Sequence, residues 1–172
     1  MSVPGRHVPE LDAGAMVRVL NRHDVRFVVI GGIAALLHDL PLPATINLDV
    51  TPSREPGNLE RLAAAFEDLN AGLLTADKAG TWFPRVPVEN WAQYDTLHLI
   101  TSFGPLNIVF FPDGAPNGYE DLVSEATRGS LEGQSVLVIS VQTWIALKEA
   151  TGRSKDLEHL DRYHSTEPPT PQ

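Results

Sequence analysis

Three polar residues sit where their types and spacing could support metal chemistry. Asn47 and Asp49 alternate with apolar residues in "INLDV", and Asn107 occupies a similar segment, "LNIVF". Alternate residues of a strand point to one face, so Asn47 and Asp49 are predicted to share a face. Clustered oxygen ligands on rigid backbone are what Mg²⁺ needs when it assists phosphoryl chemistry. Two of these three residues are amides, which are neutral and cannot take up a proton.

A structural role for the same residues is the competing interpretation. A single aspartate on a strand is more often a hydrogen-bonded structural acid, and Asn107 could simply bond a loop. The Gly31-Gly32 pair, between a predicted strand and a predicted helix, has the same two interpretations. Its backbone N–H groups could approach a phosphate at the start of the helix, or the pair could form a tight turn chosen for packing.

A group of cations lies near the C-terminal end of the sequence. Lys148, Arg153 and Lys155 fall within eight residues, around a predicted break between two helices. Such a group can hold a polyphosphate, and Arg153 offers the fork-shaped donor set. The alternative is a solvated helix end, where cations meet the C-terminal dipole favourably. Asp156 is then predicted to be an N-terminal cap or a first-turn acid of the last helix.

Composition limits the classes of protein to consider. The 172 residues are 42% hydrophobic and 20% charged, and the chain lacks cysteine, so disulfides and thiolate metal sites are excluded. The net charge of −9 argues against a broad nucleic-acid surface but leaves room for a local basic patch. An acidic chain equally suits a cationic small molecule or a basic partner protein. No signal sequence or membrane span is evident, and a cytoplasmic location is the expectation.

Strands and helices are predicted to interleave along the chain, which indicates an α/β (α+β) fold with a mixed sheet, flanking helices and C-terminal helices. We expect a single domain over residues 1–164 and a disordered tail over 165–172. Residues 74–92 are predicted to form a loop or an irregular hairpin. The histidines are interpreted as structural or surface residues and the tryptophans as core or interface anchors. Helices are predicted near residues 9–24, 33–39, 55–71 (capped by Asn58), 118–129 and, joined at Thr151-Gly152, 141–163. Strands are predicted near 26–30, 46–52, 94–114 (two strands around Phe103-Gly104-Pro105) and 134–140.

Taken in order, these segments resemble the minimal nucleotidyltransferase fold, specifically the AbiEii/MenT-like toxin nucleotidyltransferases and related uncharacterised families. The resemblance covers most of the chain, from about residue 16 to residue 163. It rests on "VVIGGIAALLHDLPLPATINLDV", "NLERLAAAFEDL" and "GPLNIVFF", followed by the closing pattern at Lys148, Gly152, Arg153, Lys155 and Asp156. The resemblance implies nucleotide contacts at Gly31, Gly32, Thr45, Lys148, Arg153 and Lys155.

This sequence departs from the family pattern at three positions. Pro43 stands where the family has arginine, and Asn47 and Asn107 stand where it has the first and third acids of a metal-binding triad. Asp49 alone keeps its acid. In the family those acids hold two Mg²⁺ ions and the third helps to activate the attacking hydroxyl. We therefore expect Mg²⁺ binding to be weak or lost here.

The resemblance implies transfer of a nucleotidyl group from a nucleoside triphosphate (NTP) to an acceptor hydroxyl. In the toxin branch the acceptor is the 3′ end of tRNA, and a cognate antitoxin is the expected protein partner. Small relatives that modify antibiotics use a drug hydroxyl, which suits an acidic chain slightly better. The competing hypothesis is a non-catalytic member of the family that binds nucleotide or a partner protein as a regulator.

Overall fold

An eight-stranded mixed sheet flanked by helices forms the architecture, as the alternation of predicted elements indicated. The computed structural model describes residues 8–74, 82–83, 91 and 94–166. The strands lie in the order β4-β3-β5-β6-β2-β1-β8-β7. The helices are α1 Ala13–Arg22, α2 Gly31–Leu37, α3 Pro56–Asp68, α4 Tyr119–Val123, α5 Val141–Thr151 and α6 Ser154–Thr166; the strands are β1 Phe27–Ile30, β2 Leu48–Pro52, β3 Gly72–Leu74, β4 Trp82–Phe83, β5 Thr96–Thr101, β6 Gly104–Val109, β7 Thr127–Leu131 and β8 Gln134–Val138.

The centre of the sheet is strongly apolar. All four residues of β1 are buried, which agrees with the strand predicted from the β-branched run at residues 26–30. β1 pairs antiparallel with β2 and parallel with β8, while β2 pairs parallel with β6. A parallel pair brings like ends of the strands to one edge of the sheet. Polar residues at equivalent positions of β2 and β6 are therefore held side by side on rigid backbone.

Trp91 and Trp144 are both buried, so these two are core residues, one of the two roles predicted for the tryptophans. Trp91 packs against Phe66 of α3, with ring centroids 5.2 Å apart. Trp144, on α5, contacts the Tyr163 ring of α6 at 6.3 Å. The second contact ties the two C-terminal helices together beside the sheet.

Three predicted features near the N-terminal half are corrected by the structure. The first helix begins at Ala13 rather than near Pro9, because the Asp12 side chain accepts a hydrogen bond from the Ala15 N–H and caps it there. Asn47 lies just before β2, not within it. The glycine pair forms the first turn of α2 rather than a linker ahead of it.

Asn58 does not cap α3, contrary to the prediction. It lies within the helix and is fully buried. Its side-chain oxygen accepts from the Arg26 N–H at 2.8 Å, and its nitrogen donates to the Ser53 carbonyl at 2.7 Å. The amide therefore joins the start of α3 to the residue that precedes β1 and to the residue that follows β2. In a sequence, a polar residue near the start of a helix is compatible with a capping role and equally with buried hydrogen bonds of this kind.

The predicted helix over residues 118–129 is shorter than expected, because α4 ends at Val123 and β7 follows. β7 pairs with β8 through a two-residue turn at Glu132-Gly133, and both turn residues have positive φ. The two C-terminal helices meet as predicted, with Gly152 in the left-handed conformation at the end of α5. α6 includes Ser165 and Thr166, and the rest of the predicted tail lies outside the described residues, as does most of 74–92.

None of the helices in the described part of the chain combines the length and apolar character that a bilayer crossing demands.

Candidate functional site

The polar residues of the candidate metal site meet on three neighbouring strands. The parallel register of β2 and β6 sets Asp49 directly beside Asn107. The antiparallel register of β5 and β6 sets His98 on the other side of Asn107. Asn47 joins from the segment that leads into β2. The sheet thus brings together the three residues predicted from sequence and adds a histidine.

A chain of hydrogen bonds connects these side chains. The Asn107 Nδ2 donates to Asp49 Oδ1 at 2.8 Å, and the Asn47 Nδ2 donates to the same oxygen at 3.2 Å. The Asn107 Oδ1 lies 2.8 Å from His98 Nδ1. A carboxylate only accepts hydrogen bonds, so both amides must present nitrogen to Asp49. The Asn107 oxygen is then left for His98, whose Nδ1 must be the donor.

The Asp49 carboxyl group is half-buried at the base of this arrangement. Burial raises its pKa above the ordinary value, opposed by the hydrogen bond from Asn107 and by the charges of Lys148, His98 and Lys155. Asp49 is thus an acid of the cleft whose pKa is raised. Perturbed titratable groups cluster at functional sites, which supports a functional role for this cleft.

Gly31 allows this acid its position. The residue adopts φ +67°, and a Cβ atom added there would meet the Asp49 carboxylate. The backbone conformation and the close approach both require glycine. Because a carboxylate already lies against Gly31, a phosphate brought to the same place would meet a negative charge.

We expect Gly31→Ala to lower the free energy of unfolding more than Gly152→Ala, by at least about 1 kcal/mol. Gly152 has a similar φ of +61° but nothing within 4 Å of an added Cβ, so it reports the cost of backbone strain alone. The difference between the variants in urea unfolding measures the contact with Asp49. Equal losses would show that the carboxylate moves aside freely.

Cations from the C-terminal helices converge on the same cleft. Asp156, in the first turn of α6 as predicted, is 4% exposed and organises them. Lys148 Nζ lies 2.8 Å from Asp156 Oδ1, and Arg153 Nε lies 3.0 Å from Oδ2. Thr151 donates a further hydrogen bond to Oδ2. This acid therefore holds two cations at fixed positions on the rim of the cleft.

Opposing influences act on the two ionisable partners of Lys148. Burial tends to raise the pKa of Asp156, but the hydrogen bonds from Lys148 and Thr151 and the Lys148 charge outweigh it and lower the pKa to about 2. Burial, assisted by the Lys148 charge, lowers the pKa of His159. His159 is therefore neutral and its Nδ1 accepts from Lys148 Nζ at 3.1 Å. Lys148 also lies over the Trp144 ring, 5.4 Å from its centroid.

The cleft has a volume of about 410 Å³ and a mixed lining. The charged and polar lining includes the acids Asp49, Asp95, Asp113 and Asp156, the cations Lys148 and Arg153, and the side chains of Asn107 and His98. The apolar part of the lining comes from Ile30, Val109, Phe111, Pro112, Ile139, Trp144 and Leu147. A volume of this size accommodates a small organic molecule, and a lining that contains both charged and apolar side chains suits a ligand with one charged and one flat apolar part.

The remaining predicted site residues lie beside the cleft rather than in its lining. Gly32 faces the Thr45 side chain, and a Cβ on Gly32 would come within 2.8 Å of it. Both residues line a second, smaller and mainly apolar groove, together with Leu36 and Leu131. Lys155 is exposed on α6, and its charge acts on Asp49.

The donor set does not fit a pair of hard cations. Asp49 is the only carboxylate among the three central residues, and both amide nitrogens, which cannot ligate Mg²⁺, face it. Within the described ranges, no group of three histidine or acidic side chains is arranged to hold a metal.

His98 and His159 are the functional candidates that sequence reasoning missed, since both were interpreted as structural or surface residues. A signal for His98 was present. It occupies an alternating position in "TLHLI", between apolar residues that are buried, so it must face away from the core. His159 follows Asp156 by three residues and thus shares its side of α6.

No family model matches this chain, and no curated protein matches it. Solved structures do match. The chain is similar to a candidate nucleotidyltransferase from Thermotoga maritima, with a TM-score of 0.53 and 16% identity over 89% of this chain and 90% of that one. It is also similar to the lincosamide antibiotic adenylyltransferase LnuA in its lincomycin-bound form, with a TM-score of 0.59 and 10% identity over 92% and 99% of the two chains.

A third similar structure is ANT(2″)-Ia in complex with adenylyl-2″-tobramycin, with a TM-score of 0.53 and 14% identity over 87% and 82% of the two chains. Identities this low establish the fold and nothing finer. The chain has the nucleotidyltransferase fold, as the sequence resemblance implied. The AbiEii/MenT-like branch is not among these matches.

Proposed function

We propose that this protein binds an NTP in the cleft of its nucleotidyltransferase fold, with nucleotidyl transfer from the bound NTP weak or absent. The observation that carries the proposal is the convergence of Lys148 and Arg153 on the cleft that contains Asp49. These cations lie on helices that follow the whole sheet in sequence. Their meeting with the residues of β2 and β6 is a property of the folded chain, and a solvated helix end would not require it.

The cations are arranged to hold phosphate. Arg153 uses Nε for Asp156 while 74% of its side chain is exposed, so the terminal guanidinium nitrogens remain available for a fork-shaped contact. Lys148, with 15% of its side chain exposed, supplies a fixed positive charge next to it. Lys155 adds an exposed cation within one turn of α6. The triphosphate is proposed to lie along these three residues, with the base against the apolar lining.

Arg153→Ala is expected to weaken ATP binding by about tenfold or more, because one charge-assisted contact contributes roughly 1.5–3 kcal/mol. Titration calorimetry at fixed salt measures the change. The matched control is Arg18→Ala, which removes an exposed arginine from α1, outside the cleft lining. Unchanged affinity in the Arg153 variant would end the proposal that this residue binds phosphate.

The reaction available to such a complex is nucleotidyl transfer. An acceptor hydroxyl would attack the α-phosphorus, lose its proton to a base, and release pyrophosphate. The central residues offer one carboxylate, and its Oδ1 already accepts from two amides. We therefore propose that the protein acts mainly by binding the nucleotide, in a regulatory role exerted through a partner protein.

Efficient nucleotidyl transfer to a small molecule is the second candidate function. Two similar structures are adenylyltransferases solved with lincomycin and with adenylyl-2″-tobramycin, and they match over most of this chain. The net charge of −9 also suits a cationic acceptor better than the 3′ end of tRNA. Labelled NTPs with Mg²⁺ and either total tRNA, lincomycin or tobramycin would separate the possibilities. Robust labelling of any acceptor would favour transfer over binding.

A further inference from the structure

We infer that the chain His98–Asn107–Asp49–Asn47 takes the place of divalent cations, so that this site binds nucleotide without a metal ion and His98 acts as its positioning residue. The inference rests on the proposed nucleotide binding and specifies how the site achieves it. It assigns a role to a histidine that has no part in the phosphate contacts.

The orientation of the Asn107 side chain is set by its two neighbours. Its nitrogen donates to Asp49 and its oxygen accepts from His98, both at 2.8 Å. Rotating the amide by half a turn would place its oxygen against the Asp49 carboxylate and its nitrogen against the His98 Nδ1–H. Both new contacts would be repulsive. Asp49 therefore sets the amide with its nitrogen toward the carboxylate, and His98, as the Nδ1–H tautomer, reinforces this orientation, in which the amide oxygen faces away from Asp49.

The Asp49 carboxylate already has hydrogen-bond donors. Its Oδ1 accepts from Asn107 and Asn47, and its carboxylate lies against Gly31. A buried carboxylate needs either donors or a cation to compensate its lost hydration. Here the two amide donors supply part of that compensation, and the charges of Lys148, His98 and Lys155 add to it. A metal ion would have to displace both hydrogen bonds to reach the oxygen that they share.

The charge around Asp49 also affects whether a triphosphate needs metal ions. A cluster of carboxylates repels a triphosphate, and metal ions are needed to bridge the two. Because Asn47 and Asn107 are neutral, the repulsion beside Asp49 is smaller than three carboxylates would give; the other acids of the cleft lining are Asp95, Asp113 and the ion-paired Asp156. Lys148 and Arg153, which line the same cleft, supply positive charge directly. The nucleotide can therefore approach without bringing Mg²⁺ to the acid.

The register of the strands makes this chain of contacts rigid. His98, Asn107 and Asp49 are direct neighbours across β5, β6 and β2. Three adjacent strands thus fix the Cα positions of the donor, the amide and the acceptor. Side-chain relaxation is confined to rotations that would break one of the two short hydrogen bonds.

Two measurements test the inference: Mn²⁺ binding to the free protein by electron paramagnetic resonance, and ATP affinity by calorimetry in Mg²⁺ and in EDTA. For the unaltered protein we expect no saturable Mn²⁺ binding and ATP affinities within about twofold of each other in the two buffers. For Asn107→Asp we expect saturable Mn²⁺ binding and an ATP affinity at least about tenfold weaker in EDTA than in Mg²⁺.

The role of His98 has its own variants. His98→Ala releases the Asn107 oxygen, and we expect ATP affinity to become dependent on Mg²⁺ by about threefold or more, with unfolding little changed because the side chain is exposed. His98→Gln, which can still donate to Asn107, should restore metal independence. A purely structural histidine would not move the ratio of the two affinities. An unchanged ratio in His98→Ala would refute the positioning role.

The outcomes separate this inference from the proposed function. Saturable Mn²⁺ binding by the unaltered protein, or ATP binding that needs Mg²⁺, would overturn metal-free binding and leave nucleotide binding intact. Absence of ATP binding in both buffers would overturn the proposed function and metal-free binding together. Metal-independent ATP binding in the unaltered protein, lost in Asn107→Asp, is the result that supports both.

Discussion

The Asn47→Asp/Asn107→Asp double variant is expected to transfer a nucleotidyl group at least about 100-fold faster than the unaltered protein, since a positioned general base alone contributes that much. Asn107 is the direct neighbour of Asp49 in the parallel register, and Asn47 already lies within hydrogen-bond distance of it. Two added carboxylates would therefore surround one point of the cleft with oxygen ligands. Incorporation of label from α-labelled ATP, with Mg²⁺ and each of the acceptors used above, measures the rate.

A triple variant that adds Asp49→Asn to the double change is the internal control. It retains the two new acids but removes the central one, and it should return transfer to the level of the unaltered protein. Asn70→Asp, at an exposed turn position outside the cleft lining, controls for the added negative charge. A double variant that binds ATP but transfers no faster would show that the amides are not what limits this protein.

Much of the candidate site could be predicted because it follows from strand periodicity. Alternation in "INLDV" and "LNIVF" set Asp49 and Asn107 on polar faces, and their pairing follows once β2 and β6 are neighbours. The helix break at Gly152 likewise marked where the C-terminal cations would lie. These signals come from residues that are close in sequence. The order of the segments along the chain supplied the expectation that they would meet in one fold.

The direction of each amide could not be predicted, because it depends on partners from other strands. Sequence shows only that Asn107 has an oxygen and a nitrogen. Which of them faces Asp49 is decided by that carboxylate on β2, and the donor that His98 presents from β5 supports the same direction. The same limitation explains Asn58, whose buried side chain bonds Arg26, the residue before β1, instead of capping its own helix. Long-range hydrogen bonds leave no periodic trace in a sequence.

The positions of Gly32 and Thr45 depend on a short helix in the same way. α2 begins at Gly31, so Gly31 and Gly32 point in different directions around its first turn. Gly31 therefore meets Asp49 while Gly32 meets Thr45. Two adjacent glycines in a sequence do not indicate that the first will lie in the cleft and the second in the smaller groove.

Asp156→Ala is expected to lower the free energy of unfolding by about 3 kcal/mol, because breaking a buried ion pair leaves its partner uncompensated. Lys148, with 15% of its side chain exposed, would lose its carboxylate, and Thr151 and Arg153 would lose an acceptor. Urea unfolding followed by circular dichroism at neutral pH measures the loss. Asp161→Ala, at an exposed position of the same helix, is the matched control and should change stability by no more than about 0.5 kcal/mol.

Acid titration separates the charge of Asp156 from its shape. Its pKa is lowered from 3.8 to about 2, so the stabilisation is fully present above the unfolded value and is lost as the pH falls through the folded value. The stability difference between the unaltered protein and Asp156→Asn should therefore shrink by about 2 kcal/mol between about pH 5 and pH 2. A difference that stays constant over this range would show that Asp156 stabilises the two helices by packing, and that the cations of the cleft do not depend on its charge.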